Sequence, residues 1–359
     1  MEVETNVLAI DMNGGDIIKG VGPVERISKS IKLFQQQHSD ITLICYGNEE
    51  NIKDSFYRDH INNSKIEIVN APSYFKGIRQ VEGMVKDRSQ TSLVKLLEDL
   101  KDNNNKVNAA FSCGETASLV FYSTHHLRII EGLKIKIPPL IAQIWTKGDN
   151  TFLFADAGAT IETRSEEAYT YALLCDLYSR KVLGVKTPRV AILSNGTEKT
   201  KGNEFVKSLD LLLSESKLNY VGRIEGKHGI FENNADVVIT DGFTGNIALK
   251  NIEGVVVGIK SLIKEKYHPK KIIQRSMKNP LALFDLLGIM SFYLSGTYKE
   301  IGHELSVDRR NGAPLLGLNG YVVKGHGNSS VEGIYHGLEI TLKYANSGII
   351  DSIKKEIIR

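Results

Sequence analysis

The stretch DVVITDGFTGNIALK, Asp236–Lys250, decides the fold. Val237, Val238, Ile239 and Thr240 form a short apolar, β-branched run, long enough for a buried strand and too short for a helix. Asp241-Gly242 interrupts it, Gly245-Asn246 follows, and Ile247, Ala248, Leu249, Ile252, Val255 and Val256 then recur at helical spacing. Strand, glycine turn and helix start, in that order, aim backbone N–H groups and the positive end of a helix dipole at one point, which suits an anion. Asp241 and Asn246 fall at the carboxyl end of the strand, where open α/β sheets keep their ligands. An ordinary βα turn, with glycine supplying only tightness, fits the same residues.

The pattern repeats along the chain. Val7–Ile10 reads as a strand running into Asp11-Met12-Asn13-Gly14-Gly15-Asp16, a loop whose backbone can approach a ligand closely. It matches neither GxGxxG nor a P-loop, so it gives little support to a nucleotide site. Ala109–Phe111 runs into Ser112-Cys113-Gly114-Glu115-Thr116-Ala117-Ser118, whose hydroxyls either cap the next helix or bind an oxyanion. Cys113 at that turn has no charge partner in sequence and reads as packing. Leu140–Trp145 and Thr151–Asp156 form a hairpin pattern closed by Asp156-Ala157-Gly158-Ala159-Thr160. Arg189–Leu193 feeds Ser194–Glu204, in which Lys201 precedes Gly202-Asn203 at a helix start. A dipole of that sense does not favour the ammonium itself, so Lys201 is either shared with a bound anion or a solvated loop lysine. Helices are expected over Val24–Phe34, Ser89–Leu100, Leu119–Ile130, Glu166–Leu183, Phe205–Leu213 and Val331–Ala345. Further strands are expected at Ile41–Cys45, Ile66–Val69, Tyr220–Ile224 and Tyr321–Lys324, with Asn311–Gly320 as a Gly-Ala-Pro loop. His326, between two glycines, is either an acid/base or a turn histidine bonded locally.

Composition bounds the class. The chain has 359 residues, 42% hydrophobic and 24% charged, ordinary for a soluble globular protein. Its 45 basic and 42 acidic residues leave a net charge of +3, too balanced to argue for nucleic acid. Cys45, Cys113 and Cys175 form no CxxC and no ligand cluster, which fits a reducing compartment and argues against a zinc site. Glu2 and Glu4 stand where a secretory signal would carry positive charge, and no apolar run reaches the roughly 20 residues that span a bilayer. Lys76, Arg79, Lys86 and Arg88 read as a solvated face, or as contacts to an anionic substrate. Lys260–Lys278 is basic, and Leu281–Leu294 after it carries one charge, Asp285. That segment reads as a dimer-packing helix or as an interfacial helix beside a basic patch.

Together these stretches resemble a family: the acyl carrier protein-dependent phosphate acyltransferases of bacterial phospholipid synthesis, known as the PlsX family. The resemblance is carried by DMNGGD (11–16), SCGETAS (112–118), DAGAT (156–160), TKGNE (200–204), VGRIEG (221–226), TDGFTGN (240–246), GAPLLGLNG (312–320) and VKGHGNSS (323–330), in the expected order over nearly the whole chain. It implies one α/β domain over residues 1–359, a three-layer α/β/α sandwich like isocitrate/isopropylmalate dehydrogenases and phosphotransacetylases. A helical dimerisation or membrane-facing segment is placed at about 255–305. The implied reaction is attack of inorganic phosphate on a long-chain acyl-carrier-protein thioester, with no metal and no organic cofactor. Lys201 and Asn246 stand where the family's catalytic lysine and asparagine stand. Asp11, Gly14, Gly15, Asp16, Ser112, Gly114, Thr116, Gly202, Asn203, Asp241, Gly242 and His326 are expected to wall one phosphate site beside them. The implied partners are acyl carrier protein, a second copy of the chain and glycerol-3-phosphate acyltransferase. The implied location is the cytoplasm, with peripheral contact on the inner face of the cell membrane.

The chain also departs from the family pattern. Glu115 and Ala117 replace Asn and Gly, Met12-Asn13 replaces Ala-Met, Thr160 replaces Asn, and Lys199-Thr200 replaces an acidic-glycine approach to Lys201. A carboxylate at 115 is expected to repel phosphate unless a cation or a proton offsets it. Three other readings fit the chain: a phosphotransacylase using coenzyme A thioesters, a dehydrogenase on the same fold, and a catalytically impaired relative acting as a scaffold or membrane-docking protein.

Overall fold

Alternation along the strands builds the core. The computed structural model describes residues 7–75, 90–102, 107–146, 150–226, 232–266 and 307–358. In β1 (Val7–Asp11), Leu8 and Ile10 enter one hydrophobic cluster while Val7 and Ala9 enter another. The same division holds in β4 (Ala109–Ser112), β6 (Asn150–Ala155), β7 (Arg189–Leu193) and β9 (Val237–Ile239). Phe111, Leu153, Ile192 and Ile239 lie on the first side, and Ala110, Phe154, Ala191 and Val238 on the second. Successive strand side chains point to opposite faces, so strands apolar at every position need both faces covered.

Helices supply both covers. α1 (Pro23–Gln37), α2 (Glu49–Arg58), α5 (Ser165–Lys181), α6 (Glu204–Ser214), α8 (Val331–Ala345) and α9 (Ile349–Glu356) contribute apolar side chains to the first cluster. α3 (Ser92–Lys101) and α4 (Thr116–Leu127) contribute to the second, and Ala248, Leu249 and Ile252 of α7 (Gly242–Lys266) pack against it. The result is the expected three-layer α/β/α sandwich.

The middle layer is two sheets. The first has the order β10 (Ala313–Leu315), β11 (Tyr321–Lys324), β4, β1, β2 (Thr42–Gly47), β3 (Ile66–Asn70), parallel except for β10. The second runs β5 (Ala142–Thr146), β6, β9, β7, β8 (Asn219–Ile224), parallel except for β5. They meet where Leu140 and Leu315 form an antiparallel bridge and the Ile141 amide donates to the Pro314 carbonyl at 3.1 Å.

The departures from the sequence expectation are local. Pro314 and Leu315 lie in strand β10 rather than in a loop, because the two sheets join there. α4 begins at Thr116 instead of Leu119, because Glu115 caps it. α2 and α9 lack an expectation altogether: each is short, and α9 buries only Ile349 and Ile353. Lys76, Arg79, Lys86, Arg88 and Leu281–Leu294 lie outside the described residues. Among the described residues no helix is long and apolar enough to cross a membrane.

Candidate functional site

Strand register assembles the first cavity. Asp11 pairs with Ser112 across β1 and β4, and Ser112 pairs with Lys324 across β4 and β11. Three polar side chains thus stand side by side at the carboxyl ends of adjacent parallel strands, where open α/β sheets bind ligands. The cavity above them is about 610 Å³ and is lined by Asp11, Gly14, Gly114, Thr116, Ser118 and Lys324, with Tyr74 and Phe75 as an aromatic wall.

Asp11 forms the floor. Ser112 Oγ donates to its Oδ2 at 2.6 Å, Ser92 Oγ to its Oδ1 at 2.7 Å, and the Asn13 amide to Oδ1 at 3.2 Å. Burial raises its pKa above the ordinary carboxylate value, while those hydrogen bonds pull the other way. Gly14 has to be glycine here: a Cβ would lie 2.6 Å from the Gly114 nitrogen and 2.7 Å from Asp11 Oδ2. Arg26 ties the rim together. Its guanidinium donates to the carbonyls of Asp16, Gly327 and Ser329, and the Asp16 amide donates to the Gly327 carbonyl at 2.8 Å. Cys113 also lines the cavity, but burial pushes its thiol up to about 12, so it packs and does not attack.

Glu115 does not project into the cavity as a loose charge. Its carboxylate accepts from the Ala117 amide at 3.1 Å and the Ser118 amide at 2.7 Å, capping α4. The free N–H groups that a helix start would offer to phosphate are therefore taken by the chain's own carboxylate.

The second cavity, about 480 Å³, lies at the carboxyl ends of β7 and β9 and is lined by Ser194, Asn195, Gly202, Asn203, Asp241 and Thr244. Here most polar groups serve the fold. Asn203 Oδ1 caps α6 by accepting from the Val206 amide at 3.0 Å, and Asp241 Oδ1 accepts from the Thr244 amide at 2.9 Å. Lys201 is exposed, its chain packed over Gly196. Arg223 holds the loop beneath it, donating to the carbonyls of Glu198 at 3.1 Å, Lys199 at 3.3 Å and Lys201 at 2.7 Å.

α7 starts at the rim of the second cavity, where Thr244 lines it. Asn246 is exposed in its second turn, against Gly158 of the Asp156 turn. Gly242 admits no side chain, since a Cβ would lie 2.3 Å from the Thr160 carbonyl. Further along the helix, Glu253 Oε1 lies 3.8 Å from His326 Nε2. Burial lowers the pKa of His326, with Glu253 opposing, and its amide donates to Asn311 Oδ1 at 2.9 Å.

The residues expected at the site fall around two cavities. Asp11, Gly14, Gly15, Asp16, Gly114 and Thr116 line the first cavity, with Ser112 bonded to Asp11 beneath it. Gly202, Asn203 and Asp241 line the second. Lys201, Asn246, Gly242 and His326 line neither. Reading the sequence missed Lys324, Arg26 and Arg223, and named Ser118 only among the hydroxyls of the 112–118 turn. Lys324 closes an apolar strand run with a charge and Arg223 interrupts one, and that was the available signal. Among the described residues no three His, Cys, Asp or Glu side chains are grouped to hold a metal ion.

The layers and glycine-rimmed cavities define a class, α/β/α proteins of phosphotransacetylase architecture. A phosphotransacetylase from Streptococcus pyogenes superposes with a TM-score of 0.60 over 95% of this chain and 94% of its own, at 15% identity. A 4-hydroxythreonine-4-phosphate dehydrogenase from Klebsiella pneumoniae gives 0.51 over 95% and 99%, at 12% identity. Within that class the chain belongs to the fatty acid synthesis protein family, whose sequence model matches residues 6–352. A phosphate acyltransferase from a Geobacillus species (strain WCH70) is 33% identical over 355 residues, 98% of each chain. One from Staphylococcus aureus is 30% identical over 351 residues, again 98% of each.

Proposed function

We propose that this protein is a phosphate acyltransferase of phospholipid synthesis, which makes acyl phosphate from inorganic phosphate and a long-chain acyl carrier protein thioester. A phosphate oxygen attacks the thioester carbonyl, the C–O bond forms, the C–S bond breaks, and the carrier leaves as its thiol with the phosphate's proton. Family membership over nearly the whole chain carries this reading. The chemistry of the first cavity supports it: a glycine-rimmed hollow with an aromatic wall can strip water from phosphate beside an apolar acyl chain. Lys201 and Asn246 are assigned to the thioester side, near the start of α7, where Asn246 would donate to the tetrahedral oxyanion; loss of one such donor typically costs about 3 kcal/mol.

Phosphate-dependent release of free carrier thiol from acyl carrier protein is the test. No release with phosphate present refutes the reaction, and release only from acyl-coenzyme A refutes the donor. Lys201→Ala is expected to lower kcat about 100-fold; near-wild-type turnover removes Lys201 from the chemistry. The exposed apolar side chains of α7, among them Phe243, Val255, Val257 and Leu262, are assigned to contact with a second copy of the chain. A monomeric mass by light scattering at micromolar concentration refutes that assignment.

A further inference from the structure

A buried cation with too little opposite charge marks the place where an anion belongs. Lys324 is 8% exposed at the end of β11, and its ammonium donates to the neighbouring Gly325 carbonyl. Among the described residues no carboxylate forms an ion pair with it. Burying an ammonium against a single carbonyl is unfavourable, and a ligand that supplies the missing charge relieves the cost. Burial accordingly lowers its pKa, with the charge of Lys250 acting in the same sense and Cys113, Asp16 and Glu115 opposing.

The three carboxylates around the same cavity are already engaged or solvated. Asp11 accepts three hydrogen bonds, Glu115 caps α4, and Asp16 is exposed. A second, independent observation concerns another residue that lines the same cavity. Ser118 is 1% exposed and lines the hollow, and its Oγ has no hydrogen-bond partner. Buried hydroxyls are ordinarily satisfied, so an unmet one in the wall of a cavity is left to donate to a ligand oxygen once a turn of its side chain brings it to the surface of the hollow. Glu115 already takes the backbone amides of Ala117 and Ser118, so any anion here must be held by side chains.

We propose that Lys324 and Ser118 form the phosphate seat of the first cavity, the ammonium taking the charge and the hydroxyl donating to a phosphate oxygen. The identity of the anion rests on the phosphate acyltransferase reading; the existence of the seat does not. The lysine's reach is set by a strand end, so the seat is preorganised, unlike a lysine on an exposed loop.

The test is calorimetric titration of the full-length protein with inorganic phosphate alone, followed by steady-state kinetics. Lys324→Met is expected to weaken phosphate binding roughly 50-fold and to raise KM for phosphate in step, with little change in KM for the thioester. Ser118→Ala is expected to weaken binding about 5-fold. In phosphate-free buffer Lys324→Met should melt no lower than wild type, since an apolar chain replaces an uncompensated cation. Unchanged phosphate binding in Lys324→Met overturns the proposal, as does a fall in kcat with KM for phosphate unchanged. Should Lys324→Met fail to fold, Ser118→Ala decides, and wild-type affinity in it overturns the seat. Wild-type protein that binds phosphate in a Lys324-dependent way but makes no acyl phosphate refutes the reaction and leaves the seat standing.

Discussion

Two buried ionisable groups, one at the carboxyl end of a strand in each sheet, are treated in opposite ways. Asp156 directly follows β6, fully buried, and five donors converge on it: the amides of Leu140 at 3.0 Å, Gly158 at 3.2 Å, Ala159 at 3.1 Å and Thr160 at 2.8 Å, with Thr160 Oγ1 at 2.7 Å. Lys324 ends β11 nearly as deeply buried and reaches one carbonyl. Saturation of that kind marks a structural ion, because a second anion finds no donor left to bind. The difference separates a turn that builds the protein from a site that awaits its substrate. It also accounts for Thr160 where relatives are expected to carry Asn: the hydroxyl completes the carboxylate's shell.

The largest expected effect tests the saturated side of that contrast. Asp156→Ala would leave four backbone amides and one hydroxyl without their acceptor, at a cost of roughly 4 kcal/mol. Urea unfolding should show this as a lower midpoint with the slope unchanged. The fraction that remains folded should bind phosphate as wild type does. A loss of phosphate affinity equal to that of Lys324→Met would erase the distinction between the two charges.

Arg223 sharpens the comparison inside the second region. Besides three loop carbonyls it reaches Asp210 Oδ2 at 2.8 Å, and Tyr220 donates to the other oxygen of that carboxylate. Arg223→Met should cost about 3 kcal/mol and open the 196–203 loop to proteolysis. Arg223→Lys should rescue little, because one ammonium cannot replace a fork that reaches four acceptors. Burial by itself would raise the Asp210 pKa, but the bonds from Arg223 and Tyr220 outweigh it and hold the carboxyl below its ordinary value. A carboxylate with a depressed folded pKa contributes stability that is complete above its unfolded pKa and disappears as pH falls through the folded one. The stability gap between wild type and Arg223→Met should therefore narrow in acid below about pH 4. A gap constant from pH 7 to pH 2 would mean that the ion pair contributes nothing and packing alone was lost.

The layer architecture was legible because every central strand is apolar on both faces, as Val237–Ile239 and Arg189–Leu193 illustrate, and such runs allow little else. The positions of the glycine bends were legible for the same reason, since each follows a strand. Which bends share a cavity was not. That depends on strand order, and β11 lies beside β4 although about 200 residues separate them in sequence. Lys324 therefore looked like the polar end of a strand, and only the register with Ser112 and Asp11 gives it a role. Glu115 was legible as an anomaly but not in its sense. A carboxylate one residue before a helix either repels an anion or takes its place, and only the bonds to Ala117 and Ser118 decide between these.

That second alternative makes Glu115 the finest probe of the comparison, with the smallest effect. Asn at this position caps a helix about as well, so Glu115→Asn should change stability by no more than about 0.5 kcal/mol. It also removes a negative charge that acts on Lys324 from across the cavity. At a partly solvated site one such charge is worth about 1 kcal/mol, so phosphate affinity should rise roughly 5-fold by calorimetry, with KM for phosphate falling to match. The gain should vanish in a Lys324→Met background, since both substitutions act on the same bound anion. An equal gain in that background would mean that the α4 amides, once released, bind phosphate on their own, and the contrast between a filled strand end and an open one would have to be redrawn around the helix and not the lysine.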